Sequence, residues 1–361
     1  MKGIDIKENL ITNRQLVFFL VQIVVGVGFL SIGRSIATVA GPGGWIDILV
    51  AGLIWSLGIY LMSRLAQMYP ERLIFDYIQD ILGKFMGNIL VYTYFIYLLV
   101  SISMVMGQFV IIINNYLLPR TPEFVLTNSM LLVIGYMAEK KLKNIGRLYE
   151  HLFFALAPIF AALIPAVFNI NRYNLFFEMN SSQFLQGIPV SLFSLAGLES
   201  FLIVYPFVKN KKNITILANL GLGIIVLTYI FVTVVSVGYF GQGVICNLIW
   251  PTIALLKTIR VIFLGRMEFL FIFMWVIFGF TTMGGLYYLL VLGIQQKLRL
   301  KEQRKLNLVF IPIIFILSGL PKNLLQIFKF SSYIGYAGGF FGLIMPGILL
   351  TIAKIKDYRS R

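Results

Sequence analysis

Two stretches of this chain carry residue types that a purely structural apolar helix has no use for. Residues 24–34 read VVGVGFLSIGR, three glycines and an arginine inside an apolar run, and residues 187–206 read GIPVSLFSLAGLESFLIVYP, with Ser191, Ser194, Gly197, Glu199 and Ser200 between Pro189 and Pro206. Each glycine costs a helix about 1 kcal/mol relative to alanine. An arginine near a bilayer centre costs at least about 2.5 kcal/mol. A helix that unwinds at such a place frees N–H and C=O groups that need partners, and a bound molecule can supply them. Freed amides at a half-helix N-terminus suit a carboxylate, and freed carbonyls suit an ammonium or another cation. The two stretches together therefore predict a pocket for a small zwitterion. Glu199 adds an ionisable group inside a span, which marks a functional site by default; the competing reading is a structural hydrogen bond or a carboxyl kept neutral by burial. Arg34 has three readings: a pair with Glu199, a contact to substrate, or a side chain reaching toward the outer interface. For each glycine, packing between helices competes with function.

The elements that would position these residues are membrane spans. The chain has 361 residues, 59% hydrophobic and 12% charged, with a mean hydropathy of +0.89, against about 25% charged residues in a soluble domain. Apolar runs long enough to cross a bilayer predict ten spans, near 14–38, 45–68, 87–117, 122–138, 147–168, 184–208, 214–240, 266–294, 306–320 and 331–353. With both termini inside, the outer segments keep only Arg120, Arg172, Lys257, Arg260, Arg266, Lys322 and Lys329. Arg34 is intramembrane, and the rest of the 30 lysines and arginines fall on the cytoplasmic side. That bias follows the positive-inside rule. The net charge of +16 is thus accounted for by anionic lipid as a partner, and nucleic acid is not expected.

Five plus five spans must run in opposite orientations, which predicts an inverted repeat, about 12–168 and 183–355, within one domain covering 1–361, with helices 1 and 6 broken. The segment YPERLIFDYIQDILGKFMGN, 69–88, reads as a proline-started helix on the inner surface. WPTIALLKTIRVIFLGR, 250–266, is its counterpart outside, with Pro251 in the first turn and Ile253, Leu256, Ile259 and Phe263 on one face. One cysteine, Cys246, and one histidine, His151, exclude an intramolecular disulfide and leave no metal cluster of thiolates or imidazoles. A membrane enzyme is disfavoured, since the chain offers no nucleophile with a base and no phosphate loop, and no cofactor is expected. Trp45, Trp55, Trp250 and Trp275 read as packing or interfacial residues.

GVGFL at 26–30 resembles the first-span break of the amino acid/polyamine/organocation superfamily, and FSLAGLES at 193–200 its sixth-span pattern. Within that superfamily the chain is most similar to the spore germination permease family, the B subunit of nutrient germinant receptors. AGPGGW at 40–45, YPERLIFDYIQDILGKFMG at 69–87 and WPTIALLKTIRVIFLGRMEFLFIFMWVI at 250–277 carry the likeness further. The family commonly has an acid before the arginine where this chain has Gly265 before Arg266, with Glu268 kept. The resemblance implies a ligand carboxylate near Val27, Gly28 and Phe29, with Gly26 in the same break, and an amine near Phe193, Ser194 and Ala196. It also implies a small germinant, an amino acid foremost, partner A (membrane) and C (lipoprotein) subunits, and a place in the cell membrane or spore inner membrane. A proton-coupled amino acid transporter is the alternative, with Glu199 as its titratable group.

Overall fold

The computed structural model describes residues 6–176, 181–258, 267–300, 303–321 and 323–360. These residues are helical throughout, and the helix ends fall where glycine and proline interrupt the apolar runs. The first apolar run becomes two helices, α1 (Asn13–Val24) and α2 (Gly28–Ala40). Thr12 caps α1 through a reciprocal pair with Gln15. Gly41, at φ 69°, then turns the chain into α3 (Trp45–Met68). Next come α4 (Ile74–Leu82), α5 (Lys84–Tyr116), α6 (Glu123–Ala138), α7 (Leu142–Leu152) and α8 (Leu156–Val167). The second half holds α9 (Ser181–Ser194), α10 (Phe201–Val204), α11 (Ile214–Phe240), α12 (Gln242–Ile245), α13 (Pro251–Thr258) and α14 (Met267–Leu298). It ends with α15 (Arg304–Ser318), α16 (Leu324–Gly339) and α17 (Met345–Ser360), the last two joined by a π-helical turn, Phe340–Ile344.

Among the described residues six stretches are long and apolar enough to cross a membrane, and the pair Ser181–Ser194 and Leu198–Phe207, bent by 48°, makes a seventh. The stretch Gly28–Met68 runs through α2 and α3 and so joins the latter part of the first predicted crossing to the whole of the second. The helices α1 and α6 are apolar but shorter than a full span. The chain is a multi-pass membrane protein of all-helical fold.

The core lies where α1 packs on α11, α7 and α14, while α2 packs on α11, α9 and α13, and α9 on α3 and α16. Small residues set these distances, because packing between helices in a bilayer rests on close contact rather than on escape from water. A Cβ on Gly52 would lie 2.8 Å from Val226 of α11, and one on Gly342 would lie 2.3 Å from the Trp55 ring. The surface helix predicted after Pro70 starts only at Ile74, beyond a turn, with Leu73 extended at its N-cap. It buries Ile74, Phe75, Tyr77, Ile78 and Ile81, the face that its periodicity dictates. Its counterpart starts at Pro251 as expected, burying Ile253 and Leu256 with Lys257 exposed. Ile259, Arg260, Phe263, Gly265 and Arg266 lie outside the described residues.

Candidate functional site at the two helix breaks

The first break is short. Val25 leaves helical geometry at φ −76°, ψ 82°, and α2 restarts at Gly28, with Val27 as an N-cap whose side chain makes no capping hydrogen bond. The Gly28 and Phe29 amides thus lack both an intrahelical partner and a side-chain cap, while the Leu30 amide donates to the Val27 carbonyl at 3.1 Å. From Phe19 to Gly33 every residue is buried except Gly28, which is exposed. A Cβ there would meet only the Tyr229 hydroxyl, 3.6 Å away. Gly26 has no such room, since a Cβ on it would lie 2.6 Å from Thr282 Oγ1 of α14. Gly33, expected to help the helix resume, sits inside α2 and packs on Ser236 and Ile245.

Carbonyls at and beside this break are held by side chains from three other helices, α11, α13 and α14. Thr282 Oγ1 donates to the Gln22 carbonyl at 2.8 Å, Tyr229 to that of Val24 at 3.1 Å, Trp275 Nε1 to that of Gly26 at 3.1 Å and Thr252 Oγ1 to that of Phe29 at 3.3 Å. Trp275, read as a packing residue from sequence, is therefore a tie to the break. Its ring also stacks on Phe109, with centroids 5.6 Å apart.

In the second break α9 ends at Ser194, and the chain turns through Leu195, Ala196 and Gly197. Gly197 has φ 113°, a conformation that excludes most side chains. Glu199 folds back over this turn. Its Oε2 accepts the Gly197 amide at 2.7 Å and its Oε1 accepts the Tyr97 hydroxyl of α5 at 2.7 Å, with the residue only 2% exposed. Both oxygens are thus engaged inside the protein. Trp55 Nε1 donates to the Leu192 carbonyl at 3.1 Å near the end of α9. Three glycines of one helical run admit the break. A Cβ on Gly335 would lie 2.3 Å from Phe193 Cβ, one on Gly338 would lie 2.8 Å from Ala196 Cβ and 2.9 Å from the Tyr97 hydroxyl, and one on Gly342 would lie 3.5 Å from Glu199 Cβ.

The two breaks touch. A Cβ on Gly197 would be 3.2 Å from Val24 Cγ2 and 3.4 Å from the Ile23 carbonyl oxygen. Of the residues expected at a ligand, Val27, Gly28 and Phe29 stand at the start of α2, and Phe193, Ser194 and Ala196 stand at the half-buried rim of the second break. The pairing of Arg34 with Glu199 is corrected by the structure. Arg34 Nε donates to the Cys246 carbonyl at 3.2 Å and the guanidinium lies 5.8 Å from the Phe328 ring centroid. Six residues of helix carry Arg34 about 9 Å along the axis from Gly28, while Tyr97 and Gly197 use both oxygens of Glu199. A narrow cleft with about 20 Å³ of free space also reaches Glu199, lined by Phe75 and Ile78 of α4, Tyr94 of α5, Ile203 of α10 and Phe341. Tyr97, Tyr229 and Thr282 were not singled out from sequence, for a tyrosine or threonine in an apolar helix has no local signature of the carbonyl or carboxylate it reaches.

Comparison with known proteins gives one consistent picture. Residues 10–327 match the model of a family described as spore germination protein. The spore germination protein YndE of Bacillus subtilis is 25% identical over 95% of this chain and 96% of its own. Among solved structures, MhsT in complex with L-phenylalanine superposes with a TM-score of 0.67 at 14% identity, over 93% of this chain and 87% of that one. A Na⁺-coupled sialic acid symporter in a substrate-bound outward-open state gives 0.67 at 13% identity, over 95% and 80%. At these identities the two structures speak for the fold alone.

Proposed function

The chain belongs to the spore germination protein family, and from that premise we propose that it is the membrane subunit of a nutrient germinant receptor. It binds a small germinant of the amino-acid class between its two broken spans and passes the resulting conformational change to partner subunits, which starts germination. The observation that carries this reading is Gly28, the one exposed residue between Phe19 and Gly33, at the uncapped N-terminus of α2. A ligand carboxylate would rest on the amides of Val27, Gly28 and Phe29, and its amine would face the carbonyls around Ser194 and Ala196. Glu199 holds the turn that aims those carbonyls. The partners are an A membrane subunit and a C lipoprotein, together with membrane lipid, and the chain performs no enzymatic reaction. Ten crossings in two inverted halves, with both termini cytoplasmic in the cell membrane or the spore inner membrane, complete the reading; the position of the two breaks and the charge bias support it.

The test is germination of spores carrying Gly28→Leu in place of the wild-type chain. Normal abundance with loss of response to single amino acids is expected. Normal response at normal abundance would remove the site. The alternative, proton-coupled amino acid transport, draws on the likeness of fold to MhsT and to the symporter. Amino acid uptake by proteoliposomes driven by a pH gradient would decide for it.

A further inference from the structure

A fold neighbour described as Na⁺-coupled raises the question of whether a cation holds the first break of this chain. A hard cation needs several oxygens whose free lone pairs converge on one point, and freed carbonyls of a broken span are where transporters of this kind find them. Here four backbone carbonyls at the break have hydrogens directed at them, and the buried Gln22 Oε1, which no donor meets, is one oxygen where a hard cation needs several. The Gln22, Val24, Gly26 and Phe29 carbonyls accept from Thr282, Tyr229, Trp275 and Thr252. The Val24 carbonyl accepts the Gly26 amide as well, at 2.9 Å.

On the facing side, α14, the pattern repeats. The Tyr149 hydroxyl of α7 donates to the Thr281 carbonyl and is met by the Gly285 amide. A Cβ on Gly285 would stand 2.8 Å from that hydroxyl, so the glycine is what lets it enter α14. Thr281 Oγ1 in turn bonds the Phe278 carbonyl at 3.1 Å, and Gln22 Nε2 donates to the Tyr149 carbonyl. Among the described residues no group of three or more His, Cys, Asp or Glu could hold a metal ion, and Glu199 is engaged with Tyr97 and Gly197.

The geometry points to a break held open by protein donors in the role a cation would have: Tyr149, Thr282, Trp275 and Tyr229 tie α1 to α7, α11 and α14, and the native state of this chain requires no Na⁺ or K⁺. The N–H and O–H groups that meet these carbonyls turn their positive ends toward the oxygens a cation would use. The inference extends beyond germinant binding, and its test needs no germinant.

Purified protein in detergent is unfolded thermally in NaCl, KCl and choline chloride at equal ionic strength. An ion that binds only the native state, present at about a hundred times its Kd, would raise the midpoint by several degrees. Midpoints within about 1 °C of each other are expected. A saturable rise specific to Na⁺ or K⁺ overturns the proposal. Tyr149→Phe and Thr282→Val each remove one donor while keeping the shape. Each is expected to lower the midpoint by several degrees equally in the three salts, and an unchanged midpoint in both would also overturn the proposal. In spores, the response to germinant is expected to keep its rate within about twofold when choline replaces Na⁺ and K⁺. A chain that passes the thermal test but fails to respond in any salt speaks against the receptor reading and leaves this one intact.

Discussion

At the scale of single residues, Glu199 and the glycines separate into different physical roles. Glu199 accepts two hydrogen bonds inside the protein, so Glu199→Ala strands a buried amide and a buried hydroxyl, at about 1–3 kcal/mol each. That variant is expected to lose stability and response together. Glu199→Gln keeps an oxygen for the Gly197 amide but meets the Tyr97 hydroxyl only as a donor, which turns that hydroxyl's own hydrogen away from its present acceptor, so an intermediate thermal midpoint is expected; a midpoint as low as that of the Ala variant would show that the amide restores neither bond. Gly26 and Gly28 predict opposite outcomes for the same substitution. Gly26→Ala drives a methyl into Thr282 and is expected to cost about 1–3 kcal/mol as overpacking, recovered in part by a second change, Thr282→Ala. Gly28→Ala meets nothing closer than 3.6 Å and is expected to leave the midpoint within about 1 °C. Thermal unfolding followed by size exclusion reads all five variants.

At the scale of elements, the second break depends on the helix opposite it as much as on its own sequence. The run from Gly335 through Gly338 to Gly342 presents a small-residue face to Phe193, Ala196 and Glu199, and the π-helical turn after Gly339 shifts the register there. Such turns occur often at functional sites. Gly338→Val is therefore expected to push the Tyr97 hydroxyl from Glu199 and to abolish germinant response. Its partner control, Gly347→Val, faces Leu61 at 3.6 Å and is expected to respond normally. Equal responses from the two variants would show that the α16 contact is irrelevant to signalling.

At the scale of the whole molecule, contacts at each end of α1 and α2 fix how the broken span sits among the others. Toward the N-terminus Ile11 pairs with the segment after α10, accepting the Lys209 amide at 2.9 Å and donating to the Phe207 carbonyl at 2.8 Å. Arg14 and Glu150 form an ion pair at 3.0 Å, with the arginine 61% exposed. Exposed pairs of this kind contribute about 0–1 kcal/mol and are screened by salt. Arg14→Gln is accordingly expected to move the midpoint by no more than a few degrees, and less at high salt. Toward the other end Arg34 reaches Cys246 and Phe328, and Gln108 donates to Ser331 at 2.8 Å, so that α2 and α5 both meet α16. The orientation in the membrane has its own test: a cysteine at Arg172 should be labelled from outside and one at Glu302 should not, and the reverse pattern would invert the topology.

What the sequence by itself determined is everything that composition and spacing encode locally. Apolar length made the chain a membrane protein. Glycine and proline inside two of those runs placed breaks at Val25–Val27 and Leu195–Gly197, because backbone preference is a property of a few neighbouring residues. The burial of Ile253 and Leu256 in α13 followed from periodicity. Only the tertiary structure decided which oxygens and donors meet. The ties of Tyr97 to Glu199, of Trp275 to Gly26 and of Tyr149 to Thr281 join residues more than a hundred positions apart. No residue's type states which partner it will find. The choice among the three readings of Arg34 has the same origin: two charges of opposite sign in one core allow a pair, yet the rise along α2 and the engaged oxygens of Glu199 keep them apart. Whether a glycine opens space, as Gly28 does, or lets a neighbour close it, as Gly26 does, depends on what stands opposite, and that is settled by packing alone.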